Sequence, residues 1–318
     1  MRLGLACLVQ AALGSTVVAV SLAAAACGEG QVDGSVRLDD TVDVASVRAL
    51  PESARQDQTL RIAIAGVMSP SRTLNAYERL VAYMQSRLGM QVTIDQRSSY
   101  AEVNDLVRTG QADIAFVCSR AYLEGQAEFG LALLLAPEVN GEATYYSYLI
   151  VPSDSPARSL ADLRGRAFAF SDPLSNSGRL VPEYVLYQAG ETPSSFFGRL
   201  EYTGSHDNSV LAVAGHLVDG AAVDSLVYDY LVARNPEIAQ RTRIIARWGP
   251  YGIPPLTVSP ALDVGVRERV RAVLLEMDKD VEGQTALAEL GVDRFVPIED
   301  SAYDAIRAML NALKGVAR

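Results

Sequence analysis

Apolar positions along the chain change their period repeatedly, and each change marks an element. The run Leu60 to Gly66, LRIAIAG, is short and almost continuously apolar, which predicts a buried strand, and it ends in the turn VMSPSRT. Beyond the turn, Leu74, Tyr77, Leu80, Val81, Tyr83 and Met84 recur every three or four residues, the period of a helix with one buried face. A strand QVTIDQR, a short helix from Tyr100 to about Arg108 and a strand ADIAFVC come next, and GLALLLAPEV and YYSYLIVPSD continue the series. Strands alternating with helices at this spacing predict parallel βαβ units.

The pattern then restarts. SLADLRG is a helical turn with Ser159 at its N-cap, RAFAFSDP is a strand, and SDPLSNSGRL leads into a second periodic helix. A strand at 201–203, the helix HDNSVLAVAGHLVDG and the strands AAVDS and RIIARW complete a second unit, and after GPYGIPPLTVSP the helical period spans 265–290 and 301–315. The expectation is an α/β fold of two lobes, each a mostly parallel sheet flanked by helices. Lobe 1 takes residues 58–150 plus 254–318 and lobe 2 takes 151–253, with a ligand cleft where strand ends and helix N-termini converge.

Before the first strand the chain has a different character. Arg2 precedes an apolar stretch from Leu3 to Ala26 that closes on four alanines before Cys27, the layout of an export signal over residues 1–26. The cysteine after small residues resembles a bacterial lipobox, which makes Cys27 the lipidation site and anchors the chain to a membrane. An uncleaved transmembrane anchor is the competing possibility, because the stretch is nearly long enough to span. In both cases the folded part lies outside the cytoplasm. Residues 27–57 are polar and acid-rich with no sustained period, and are expected to form a flexible tether.

Composition narrows the function. At 318 residues and 49% hydrophobic, the chain is too long for one small domain. A net charge of −10 argues against a nucleic-acid surface, which needs clustered Lys and Arg, although backbone dipoles can still hold a small anion locally. With Cys7 in the signal and Cys27 under lipid, Cys118 alone remains, so no internal disulfide forms. Two histidines, His206 and His216, and no Cys/His metal spacing leave no metal or cofactor site to expect.

The candidate chemistry sits at SDPLSNSGRL. Ser175, Asn176 and Ser177 fall at a helix start, where side-chain oxygens and amides either cap unpaired N–H groups or help hold an anion. DPLSNSG followed by LVPEYVL, then GSHDNSVLAVAGHLVDGAAVDS, then RWGPYGIPP, resembles the phosphate-, phosphite- and phosphonate-binding proteins of ABC importers. That family is a branch of the type II periplasmic-binding-protein fold, and the resemblance covers roughly residues 58–310. It implies an extracytoplasmic monomer that closes two lobes on a small phosphorus oxyanion and delivers it to an ABC permease. It also implies that Ser175, Asn176 and Ser177 donate to the oxyanion, with Asn176 standing where the family commonly has threonine.

By the same resemblance His206, Asp224, Tyr100 and Tyr145 face the ligand, and the end of the third strand, Phe116 to Ser119 with Cys118, sets ligand choice. Each has a plainer role open to it: His206 as a helix-start residue, Asp224 as a cap, the tyrosines and Cys118 as packing. His216 is expected at the surface. Asp224 beside an anion selects ligands that carry a proton or an amine to donate, and so disfavours sulfate. Two other functions use the same residues. Ser175 or Ser177 with His206 and Asp224 supplies a hydrolase triad, but without a Gly-x-Ser-x-Gly elbow and in the wrong chain order for an α/β hydrolase. Cys118 at a strand end resembles arsenite-sensing relatives that signal to a histidine kinase. Phosphate, phosphite, phosphonates and arsenic oxyanions all stay open as ligands.

Overall fold

A computed structural model describes residues 59–67 and 70–314; the signal segment, Cys27 and the tether lie outside the described residues. The chain begins with β1 (Thr59–Ile64), α1 (Pro70–Leu88), β2 (Gln91–Gln96), α2 (Tyr100–Arg108), β3 (Ile114–Phe116), α3 (Ser119–Phe129) and β4 (Ala132–Glu138). It continues through β5 (Thr144–Pro152), β6 (Ala167–Phe170), a helix that opens with a π turn over Asn176–Leu180 and runs on as α4 (Val181–Gln188), α5 (Pro193–Phe196) and β7 (Arg199–Tyr202). Then come α6 (His206–Ala214), β8 (Gly220–Asp224), α7 (Ser225–Arg234), α8 (Glu237–Arg241) and β9 (Thr242–Gly252). The return carries β10 (Leu256–Val258), α9 (Val264–Leu275), α10 (Val281–Leu290), β11 (Arg294–Val296) and α11 (Asp304–Lys314).

Two sheets result, ordered β11-β4-β10-β3-β1-β2 and β7-β6-β8-β5-β9. Strand–helix alternation predicts mostly parallel sheets, whereas both are mixed. The βαβ units do pair in parallel, β1 with β2 and β3, and β6 with β7 and β8. Strands that enter from the other lobe arrive in the opposite sense: β5 lies antiparallel to β8, and β10 antiparallel to β3 and β4. The second sheet begins at Thr144, so Tyr145 already belongs to it. β5 and β9 pair from Thr144↔Gly252 to Pro152↔Thr242, with a bulge between Tyr145 and Ser147.

The helical period over 265–290 breaks where the sequence pattern does not show it. Asp280 ends a 3-10 turn and caps α10 by accepting the Gly283 N–H at 2.9 Å. Gly283 is required there, since a Cβ would stand 1.9 Å from the Met277 carbonyl oxygen. Among the described residues no helix is long and apolar enough to cross a membrane.

Alternation along β1 splits the first lobe's core in two. Leu60, Ile62 and Ile64 pack on one face with Leu80 and Leu274, and Ala63 and Ala65 pack on the other with Val103, Tyr303 and Ile306. Leu180 and Val181, from the second lobe, belong to that second cluster. Burying a Val or Leu side chain contributes about 1.5–3 kcal/mol, so the helix opening at Asn176 is anchored against the opposite lobe by its own apolar face.

Candidate functional site

Local capping fixes three of the predicted residues. Ser99 and Glu102 form a reciprocal capping box that starts α2, which sets Tyr100 as its first residue. Ser205 caps α6 and so places His206 at its first position. Asp224 ends β8 and caps α7, one carboxylate oxygen accepting the N–H groups of Leu226 at 2.8 Å and Val227 at 3.4 Å. The capping role open to Asp224 is therefore filled, and its carboxyl also borders the interlobe cleft.

The structure brings the sequence-predicted residues together at the start of the π-turn helix. Asn176 donates its side-chain amide to the Tyr145 hydroxyl at 2.8 Å and its backbone N–H to the Cys118 sulfur at 3.2 Å. Ser175 Oγ accepts the Gly178 N–H at 2.9 Å and lies 3.3 Å from His206 Nε2. Tyr100 lies close enough to Cys118, Asp172, Asp224 and Tyr145 that, after burial, these four hold its hydroxyl well above the ordinary tyrosine range. Ser175, Asn176, Ser177, His206, Asp224, Tyr100, Tyr145 and Cys118 are all buried. His216 stands apart at the surface, in the left-handed region at φ 57°.

Three hydrogen bonds close the lobes over this cluster: His206 N–H to the Val67 carbonyl at 3.1 Å, Tyr100 N–H to the Asp172 carboxylate at 3.3 Å, and Asn176 N–H to Cys118. Sequence reasoning missed Asp172, Ser147 and Ser171. Ser147 Oγ donates to the Ser177 carbonyl at 2.7 Å, and Ser171 Oγ lies 3.4 Å from His206 Nε2. A serine on the inward side of the apolar strand YYSYLIV is the one signal that could have found Ser147.

His206 is held in a defined protonation state. Its Nδ1 accepts the backbone N–H of Asp224 at 3.0 Å, and burial lowers its pKa to about 4, so at neutral pH the ring is uncharged and carries its proton on Nε2. A triad needs the reverse arrangement: a carboxylate on Nδ1 and a bare Nε2 to take the serine proton. Here Nε2 donates toward Ser175 and Ser171, so the histidine positions the turn. Cys118 is an uncharged thiol, pushed up to about 11 by burial. Burial likewise pushes Asp224 up to about 7, against the N–H groups of Leu226 and Val227 that favour its charged form.

Two polar atoms in the cluster have no hydrogen-bond partner among the described residues: Ser177 Oγ and Asn176 Oδ1. Buried polar atoms are rarely left so, and both belong to the turn at the helix start.

Known proteins share sequence and fold with this chain. A 27% identical relative, the phosphonates-binding periplasmic protein of Escherichia coli K12, aligns over 270 residues, 82% of this chain and 79% of its own. The phosphate-import protein PhnD of Mycolicibacterium smegmatis is 29% identical over 54% of this chain and 56% of its own. Among solved structures, a binding component of an ABC phosphonate transporter from Pseudomonas aeruginosa superposes with a TM-score of 0.74 at 26% identity, covering 79% of this chain and 85% of its own. Prochlorococcus marinus PhnD1, crystallised with methylphosphonate, shares the fold with the same TM-score at 19% identity, over 81% of this chain and 99% of its own. Residues 62–303, nearly the whole two-lobed body, match one family model, and the chain accordingly belongs to the periplasmic substrate-binding proteins of ABC phosphonate transporters.

Proposed function

We propose that this protein captures a phosphorus oxyanion, a phosphonate above all, at Ser175–Ser177 and presents its closed form to an ABC permease while acylated Cys27 holds it at the membrane. The observation that carries this reading is the pair of unpartnered buried atoms on Ser177 and Asn176. An unmet buried hydroxyl or amide costs about 1–3 kcal/mol, which a ligand recovers by supplying the partner. Ser177 donates its hydroxyl directly. A half-turn of the Asn176 amide lets the Tyr145 hydroxyl donate to Oδ1 and frees the two N–H groups for the anion. The helix dipole adds a favourable field, and Asp224, half protonated near neutral pH, tolerates an anion that shares a proton with it. The relatives' names, for phosphonates and for phosphate import, support the ligand class. Binding across both lobes stabilises the closed state, which a permease can distinguish from the open one.

Ser177→Ala tests the turn. Its hydroxyl has no internal partner, so thermal stability is expected to stay at the wild-type level while methylphosphonate affinity, measured by calorimetry, falls at least tenfold, about 1.4 kcal/mol. Wild-type affinity in this variant would place the anion elsewhere.

A further inference from the structure

Asp224, a member of the oxyanion cluster, also lines an interlobe chamber of about 470 Å³. That volume lies within the roughly 300–1,000 Å³ typical of pockets enclosing whole organic ligands, far more than a tetrahedral head group needs. One wall is a face of α7, with Leu226, Val227 and Tyr230 at helical spacing. The other wall is the set of strand ends of the first lobe, from Ile64 and Phe116 past Pro255 to Pro137, Val139 and Phe295. Across the order β3-β10-β4-β11 this wall spans three strand spacings, roughly 14 Å, leading away from Cys118.

The chemistry of the lining selects what extends along it. None of the described lining residues is Lys or Arg, and its charged groups are the carboxylates of Asp224 and Asp229, so a second anionic group is rejected. The Tyr148 hydroxyl already donates to Asp229 at 3.4 Å, and the Arg234 guanidinium covers the Tyr230 ring at 4.3 Å, which leaves aliphatic and proline surface as the main contact on offer.

Resting on the oxyanion reading above, we infer that the ligand is a phosphonate bearing an apolar organic substituent of several carbons. Its head sits at Ser177 and Asn176, and its chain lies between α7 and the ends of β3, β10, β4 and β11. Burial then makes affinity grow with chain length, by roughly fourfold per methylene, until the chain outruns the chamber.

Calorimetry on the purified protein with methyl-, propyl-, hexyl- and 2-aminoethylphosphonate tests this. Hexylphosphonate is expected to bind at least thirtyfold tighter than methylphosphonate and tighter than the aminoethyl compound. Val139→Trp, which fills the far wall, is expected to abolish most of that gain and leave methylphosphonate within about threefold of wild type. Affinity that is flat or falls with chain length, or that favours the ammonium group, overturns the apolar-substituent proposal while the oxyanion site stands. Failure of all four compounds to bind overturns the oxyanion reading and this inference with it.

Discussion

Gly178→Ala is expected to weaken methylphosphonate binding by at least a hundredfold, about 2.7 kcal/mol, and to lower the melting temperature by several degrees. A Cβ at this position would stand 2.0 Å from Ser171 Oγ and 2.9 Å from both Ser171 Cβ and His206 Cε1. Neither neighbour can give way freely: Ser171 is buried directly after β6, and the His206 ring is fixed by the Asp224 N–H. Overpacking of this kind costs about 1–3 kcal/mol in stability. The larger loss falls on binding, because the same shift moves Ser175 off His206 Nε2 and disturbs its bond from the Gly178 N–H, two of the contacts that shape the turn. Calorimetry and thermal melting on one preparation separate the effects. A variant that melts early but binds as wild type would show that the anion does not depend on this turn.

Asp224→Asn is expected to change the pH dependence of stability, and the sign follows from two buried groups. Between about pH 4 and 6.5 the unfolded chain protonates His206 and the native chain does not, so this residue makes stability rise with pH. Between about pH 4 and 7 the native chain keeps the proton on Asp224 and the unfolded chain has lost it, so this residue makes stability fall with pH. The two slopes oppose each other in the wild type across their shared window. Asparagine keeps an oxygen for the N–H groups of Leu226 and Val227 but removes the buried charge. The variant is therefore expected to be more stable than wild type at pH 8, by up to about 4 kcal/mol, and to lose that advantage by pH 4. Urea denaturation at pH 4.5, 6 and 8 measures the difference, and a constant difference across the three would contradict the assignment. The same variant is expected to reject sulfate less strongly against phosphonate, since the facing carboxylate is gone.

Much of this was legible in the chain itself. Alternating periods announce the βαβ units, and the helix-start chemistry of Ser175, Asn176 and Ser177 is local, so it can be read over ten residues. Contacts made at long sequence separation are not readable that way. Ser147 meets Ser177 thirty residues on, and Asp172 meets Tyr100 across the cleft, each set by tertiary packing and not by any local pattern. The antiparallel entry of β5 and β10 is hidden for the same reason, since strand sense depends on which lobe the chain has come from. Leu274, Met277 and Val281 keep helical spacing and mask the break at Asp280, because capping acts through one side chain without interrupting the period. The chamber beside α7 was invisible because its lining comes from five strand ends and three helices far apart in the chain.

The hydrogen bond from Ser147 to the Ser177 carbonyl has a mechanical consequence. Ser147 lies immediately past the bulge in β5, on the strand by which the chain first passes between the lobes, and Ser119 in turn grips the Gly252 carbonyl at the end of β9. On the reading proposed above, any displacement of the turn on capture pulls directly on the ribbon that joins the two halves, and the molecule needs no separate lever to turn occupancy into torque.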